Sequence, residues 1–171
     1  MKRNRTVVIA AILILALMSA VGVAAEPPKV GSTLPALKLP RLDESKVSVL
    51  IIQVFSLYCP YCQKDAPNMN RFFSLIENNP KLKGKIKIIG IGAGNTQFEV
   101  NTFKKKYHVE FPLTADPDYS AHKILGEVRT PYFIVVKLNG SKKMEVVYSR
   151  LGGHENPEAF LDEVVRLSGI Q

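Results

Sequence analysis

The chain has 171 residues, 46% of them apolar and 22% charged, with a formal net charge of +8 and no tryptophan. That balance excludes a disordered polypeptide and provides one ordinary domain with a tail to spare. The positive charge comes with no aromatic-interleaved basic stripe and no zinc-finger spacing, so nucleic acid is not an expected partner.

Residues 1–25 read as a targeting segment outside the fold. MKRNR is a basic start, Val7 to Met18 is an unbroken apolar run of twelve residues, and SAVGVAA supplies the small residues of a cleavage site, with Val23 and Ala25 at its −3 and −1 places. This is the pattern of a secretory signal peptide. From Thr6 to Ala25 the stretch is also about 20 residues, enough to span a bilayer, so an N-terminal membrane anchor is the other reading. No cysteine lies near Ala25, which excludes a lipid-modified N-terminal cysteine. Either way the domain is expected in the periplasm or an equivalent extracytoplasmic space, where disulfides persist. Removing this segment takes away Lys2, Arg3 and Arg5 and no acid, so 23 basic residues become 20 against 15 acidic ones, a net charge of +5. The basic clusters at 81–87 and 104–106 read as a solvated loop and helix end.

Residues 26–46 carry four prolines and no periodicity, an extended lead-in with room for a short hairpin. The folded domain is expected over 47–171. Val47 to Leu57 is a β-branched run of the kind a central strand buried on both faces needs. The following helix starts at the cysteines, shows Met69, Phe72, Phe73 and Ile76 on one face, and is expected to kink at Pro67. Ile86 to Ile91 is a second buried strand, and GIGAGN (90–95) reads as its end and a turn rather than a nucleotide loop. Thr96 and Glu99 form a capping box opening a helix with Val100, Phe103 and Tyr107 inward. A short strand over 111–114 and a short helix over 118–125, stopped by Gly126, come next. Strands over 132–138 and 144–148 flank Asn139-Gly140, a hairpin turn signal. Asn156 caps a last helix with Pro157 at its first position and Phe160, Val164 and Leu167 inward. Alternating strands and helices followed by a hairpin imply an α/β domain with a mixed central sheet flanked by helices.

Both cysteines lie in SLYCPYCQK, at Cys59 and Cys62. A strand running into a CxxC at a helix start, Pro67 five residues beyond it, Thr130-Pro131 before an apolar strand, and a secretory leader together resemble the thioredoxin fold. The KVGSTLPALKLP lead-in and the inserted helix-strand block between Gly92 and Gly126 resemble the secreted TlpA/ResA-like thiol-disulfide oxidoreductases of the redoxin superfamily. The resemblance covers about residues 30–170. It implies that Cys59 caps the helix as the nucleophile, with its pKa lowered by unpaired N–H groups and the helix dipole. It implies that Cys62 resolves the mixed disulfide, and that Pro60, Tyr61, Thr130 and a cis Pro131 line the substrate groove. Proteins with disulfides are the implied substrates, apocytochrome c or other secreted proteins among them, with a membrane-delivered electron donor and no cofactor or metal. In thioredoxins the strand residue six before the first cysteine is a buried acid; here it is Gln53, which cannot take a proton. Asp65, one turn beyond Cys62, is expected to face solvent.

A structural disulfide closing so short a loop would stabilise the fold very little. A metal site would need two more ligands, and His108, His122 and His154 read as ordinary surface or helix residues. Copper delivery is the binding-module alternative. A thiol peroxidase would cast Ser56 and Arg129 beside a reactive cysteine. Within the oxidoreductase class the architecture points to a reductant. Gln53 and the Pro60-Tyr61 pair, glutaredoxin-like and mid-range in a span of about 150 mV, keep a disulfide-introducing oxidase open.

Overall fold

The computed structural model describes residues 26–37, 39, 46–139 and 143–170. The targeting segment, most of residues 38–45 and Gly140 of the hairpin turn lie outside the described residues. The order of elements is β1 (Val49–Phe55), α1 (Pro60–Glu77), β2 (Ile86–Ala93), α2 (Gln97–Lys106), β3 (Leu113–Asp116), α3 (Ser120–Ile124), β4 (Tyr132–Asn139), β5 (Lys143–Leu151) and α4 (Pro157–Ser168). The strands form one sheet in the order β3-β2-β1-β4-β5. β1 pairs parallel with β2 and antiparallel with β4, so the sheet is mixed and β1 is central.

Every residue of β1 is buried, as its unbroken apolar run requires. Alternate side chains enter two cores. Val49, Ile51 and Phe55 pack with Cys62, Met69, Phe72 and Ile76 of α1, Val100 and Phe103 of α2, and Phe160 and Val164 of α4. Leu50, Ile52 and Val54 pack with Ile89, Ile91, Leu125, Ile134 and Leu34 of the lead-in on the opposite face. The GIGAGN stretch is a strand end and turn, and packing explains its glycines. A Cβ on Gly90 would lie 2.4 Å from Leu113 Cδ2, and one on Gly92 would lie 2.9 Å from Val100 Cγ2.

Several details differ from expectation. The lead-in forms no hairpin of its own in its described part: Thr33 bridges Glu145, and Gly31 and Leu34 donate to the carbonyls of Val146 and Met144, laying it along β5. β3 starts two residues late, at Leu113, because Pro112 has no N–H to pair; its carbonyl instead accepts from Gly90 N–H. α3 is only five residues long. Its free N–H groups at Ala121 and His122 are taken by the buried carboxylate of Asp116, and Tyr119 just before it sits at φ 59°. Pro67 falls within α1 without ending it, since the helix runs from Pro60 to Glu77.

Candidate active site

The site lies where β1 runs out between β2 and β4. Cys59 is the N-cap of α1, with extended backbone (φ −84°, ψ 113°), and Pro60 occupies the first helical position, where a missing N–H leaves nothing unpaired. The loop is tied down from both sides. Leu57 N–H donates to Asn95 Oδ1 at 2.8 Å, Leu57 C=O accepts from Gln63 Nε2 at 2.7 Å, and the Tyr58 hydroxyl donates to Glu99. Asn95 belongs to the β2–α2 turn and Glu99 to the first turn of α2, and neither was expected to have a part in the site.

The two thiols are unbonded and unlike. Cys59 is half-buried, and its Sγ accepts from Cys62 N–H at 3.4 Å and faces the carbonyl of Thr130 at 3.3 Å. Burial alone would raise its pKa. Hydrogen bonding from the Thr130 side chain, from Cys62 and from the Tyr61 backbone outweighs that and holds the thiol below its ordinary value. Cys62 is fully buried, and that desolvation pushes its thiol up to about 12. The Thr130–Pro131 peptide is cis, as expected. Pro131 is buried, Thr130 is half-buried, and the Pro131 carbonyl accepts from Gly152 N–H at 2.9 Å. Pro60 and Tyr61 are exposed beside Cys59.

Two expectations are corrected. Asp65 does not face solvent: it shares the inward stripe of α1 with Cys62 and Ala66 and is 4% exposed. Its Oδ1 accepts from His154 N–H at 2.9 Å, and Oδ2 is buried without a partner. Burial raises its pKa, and the His154 N–H opposes the rise. Glycine is needed at 153, since a Cβ there would lie 2.5 Å from Asp65 Oδ1. Nor is His154 an ordinary surface histidine. Its ring stacks on Phe160 at 3.5 Å and meets the Phe133 ring at 4.6 Å, and desolvation lowers its pKa to about 4. The inward turn of α1 at Asp65 was legible as spacing: residues 62, 65, 66 and 69 repeat at i, i+3, i+4 and i+7.

Gln53 is 2% exposed, opposite Phe133 and Gly90, on the sheet face that α1 covers. Ser56 Oγ accepts from Tyr58 N–H, Arg129 is exposed, and His122 Nε2 bonds the Val128 carbonyl. Among the described residues no group of three or more His, Cys, Asp and Glu side chains converges on a common point.

A mixed sheet with a dithiol at the N-terminus of its first helix, facing a cis-proline strand, is the thioredoxin-like arrangement. Residues 29–165 match the Redoxin family, and the chain belongs to it. Thiol-disulfide oxidoreductase ResA of Bacillus thuringiensis subsp. konkukian is 25% identical over 162 residues, covering 85% of this chain and 90% of that one. ResA of Geobacillus thermodenitrificans is 21% identical, covering 84% of this chain and 88% of that one. Among solved structures, StoA from Bacillus subtilis superposes with a TM-score of 0.56 at 18% identity, covering 69% of this chain and 83% of that one. A secreted thiol-disulfide isomerase from Corynebacterium glutamicum gives 0.59 at 17% identity, covering 84% and 85%. The protein is an enzyme of the thiol-disulfide oxidoreductase class.

Proposed function

We propose that the protein works outside the cytoplasm, exchanging disulfides with protein clients through Cys59 and Cys62, in the reducing direction. The inequality of the two thiols carries the assignment of their roles in exchange, and the ResA-like resemblance supports the reducing direction. Cys59 is partly exposed with a lowered pKa, while Cys62 is sealed with a pKa near 12. The Cys59 thiolate attacks a client disulfide, forms the mixed disulfide and expels the client's other sulfur, which takes up a proton. Cys62 then gives its proton to Asp65 through intervening water and attacks Cys59 Sγ, and the client's second sulfur leaves as a thiolate that takes up the proton from Asp65. The client leaves with two thiols, and the enzyme keeps the Cys59–Cys62 disulfide.

Asp65 suits the part that Gln53 cannot take. It lies one turn from Cys62 on the same buried face, and burial biases it toward holding a proton. Thr130, Pro131, Pro60 and Tyr61 line the groove that receives the client. Apocytochrome c or another secreted protein fits as client, and a membrane-delivered electron donor would re-reduce the pair. The leader pattern supports an extracytoplasmic location, as does the secreted relative from Corynebacterium glutamicum. Gln53 and the Pro-Tyr pair favour the oxidase as the second reading.

The test is the reduction potential of the Cys59–Cys62 pair, measured by equilibration in graded glutathione buffers and counting of alkylated thiols by mass. A value of about −230 mV or lower supports a reductant; a value toward about −120 mV overturns the direction.

A further inference from the structure

Among the described residues seven large apolar side chains are exposed, and four of them, Tyr58, Tyr61, Phe98 and Leu151, belong to segments that meet at the site. The strand order sets where each one lies. β1 ends between β4 and β2, so the loop carrying Cys59 has Thr130-Pro131 on one flank and the start of α2 on the other. Leu151 is on the first flank, opposite Tyr132 in the β4–β5 pair. Phe98 is on the second, at the second residue of α2, and 79% exposed.

Tyr58, beside Cys59, is held to that second flank. Its hydroxyl donates to Glu99, whose carboxylate also closes the Thr96 cap, and the preceding residue is pinned by Asn95. Tyr58 is thus fixed with 69% of its surface open, on the same turn that presents Phe98. Exposed aromatics fixed next to a reacting group mark a binding surface.

We propose that Tyr58 and Phe98 form an apolar shelf that extends the client groove past Cys59 on the side away from Pro131. It takes an extended segment of a partly unfolded client, with a large apolar side chain about two residues from the reacting cysteine. At a spacing of two residues the apolar side chain shares the cysteine's face of the extended segment, about 6.6 Å along it at a rise of ~3.3 Å per residue. The inference rests on the reading that Cys59 attacks protein disulfides, and it names the feature by which clients are selected.

The test uses the reduced protein and two synthetic peptides, each closed by one disulfide and carrying either Leu or Ser two residues from each cysteine. Single-turnover rates are read by rapid alkylation. The Leu peptide is expected to react about tenfold faster, as for partial burial of one large apolar side chain. Phe98→Ala brings the ratio close to one, and Phe98→Leu restores most of it. Equal rates with wild type, or a ratio unmoved by Phe98→Ala, overturn the shelf and leave the exchange reading standing. No reaction with either peptide overturns the exchange reading, and the shelf with it. A solution dimer that Phe98→Ala converts to monomer also overturns the shelf, assigning the patch to a second copy of the chain.

Discussion

Replacing Asp65 with Asn should make the protein more stable and a slower enzyme. The carboxylate is 4% exposed, and desolvation raises its pKa. A carboxyl whose folded pKa exceeds its unfolded value contributes stability that is fully present below the unfolded pKa and lost as pH rises through the folded one. Asn cannot ionise, yet its Oδ1 can still accept the His154 N–H. At pH 7 it should therefore gain about 1 to 3 kcal/mol, the usual scale for relieving a buried group of poorly compensated polarity. The gain should shrink as pH falls toward the unfolded carboxyl value of about 3.9 and vanish below it, where Asp65 is protonated in both states. Catalysis should move the other way. A Cys62 thiol of pKa about 12 is ionised to only about one part in 10⁵ at pH 7, so resolution depends on a base. Losing that base should lengthen the mixed-disulfide lifetime by about 10²-fold or more. Urea unfolding across pH 4 to 8 measures the first effect, and quenched-flow trapping with a peptide disulfide measures the second. Unchanged pH dependence of stability together with an unchanged lifetime would refute the assignment of Asp65.

Cys62→Ser should accumulate mixed disulfides with clients, visible as adducts on non-reducing gels, and Cys59→Ser should not; equal trapping by both would reverse or dissolve the two roles. Alkylation of Cys59 by iodoacetamide should reach half its maximal rate below the usual thiol value of about 8.5, because Thr130 and the helix N–H groups favour the thiolate. Gly153→Ala should cost about 1 to 3 kcal/mol, read from the urea midpoint, because its Cβ would lie 2.5 Å from Oδ1 and 3.0 Å from Cβ of the buried Asp65. The same change in a background of Asp65→Ala should cost markedly less, as expected for two residues in contact.

Much of this molecule can be read along the chain. The order of strands and helices follows from local pattern: β-branched runs, the Thr96–Glu99 box, and Asn156 before Pro157. Such features depend on residues within one turn of each other, so proximity in sequence is proximity in space. The CxxC at a helix start is local in the same sense, and so the reactive pair was visible without a structure. The limits of β3 and α3 were less legible, because Asp116 caps α3 from the end of a strand and the turn residue Tyr119 adopts a left-handed conformation.

Tertiary structure decided whatever depends on burial or on segments distant in sequence. Asp65 looks like a helix-surface acid until the Gly153-His154 loop, 89 residues away from it at His154, closes over it. His154 looks like a loop histidine until Phe160 and Phe133 enclose its ring. The inequality of the thiols arises likewise: Cys59 faces a carbonyl 71 residues on, while Cys62 points into a core built from three helices. A charge's environment is a sum over neighbours in space, and here those neighbours come from opposite ends of the domain. Residues close along the chain are enough to set two thiols at a helix start beside a central strand. Only the fold settles which thiol meets solvent, which is sealed, and which carboxyl of the same helix is buried.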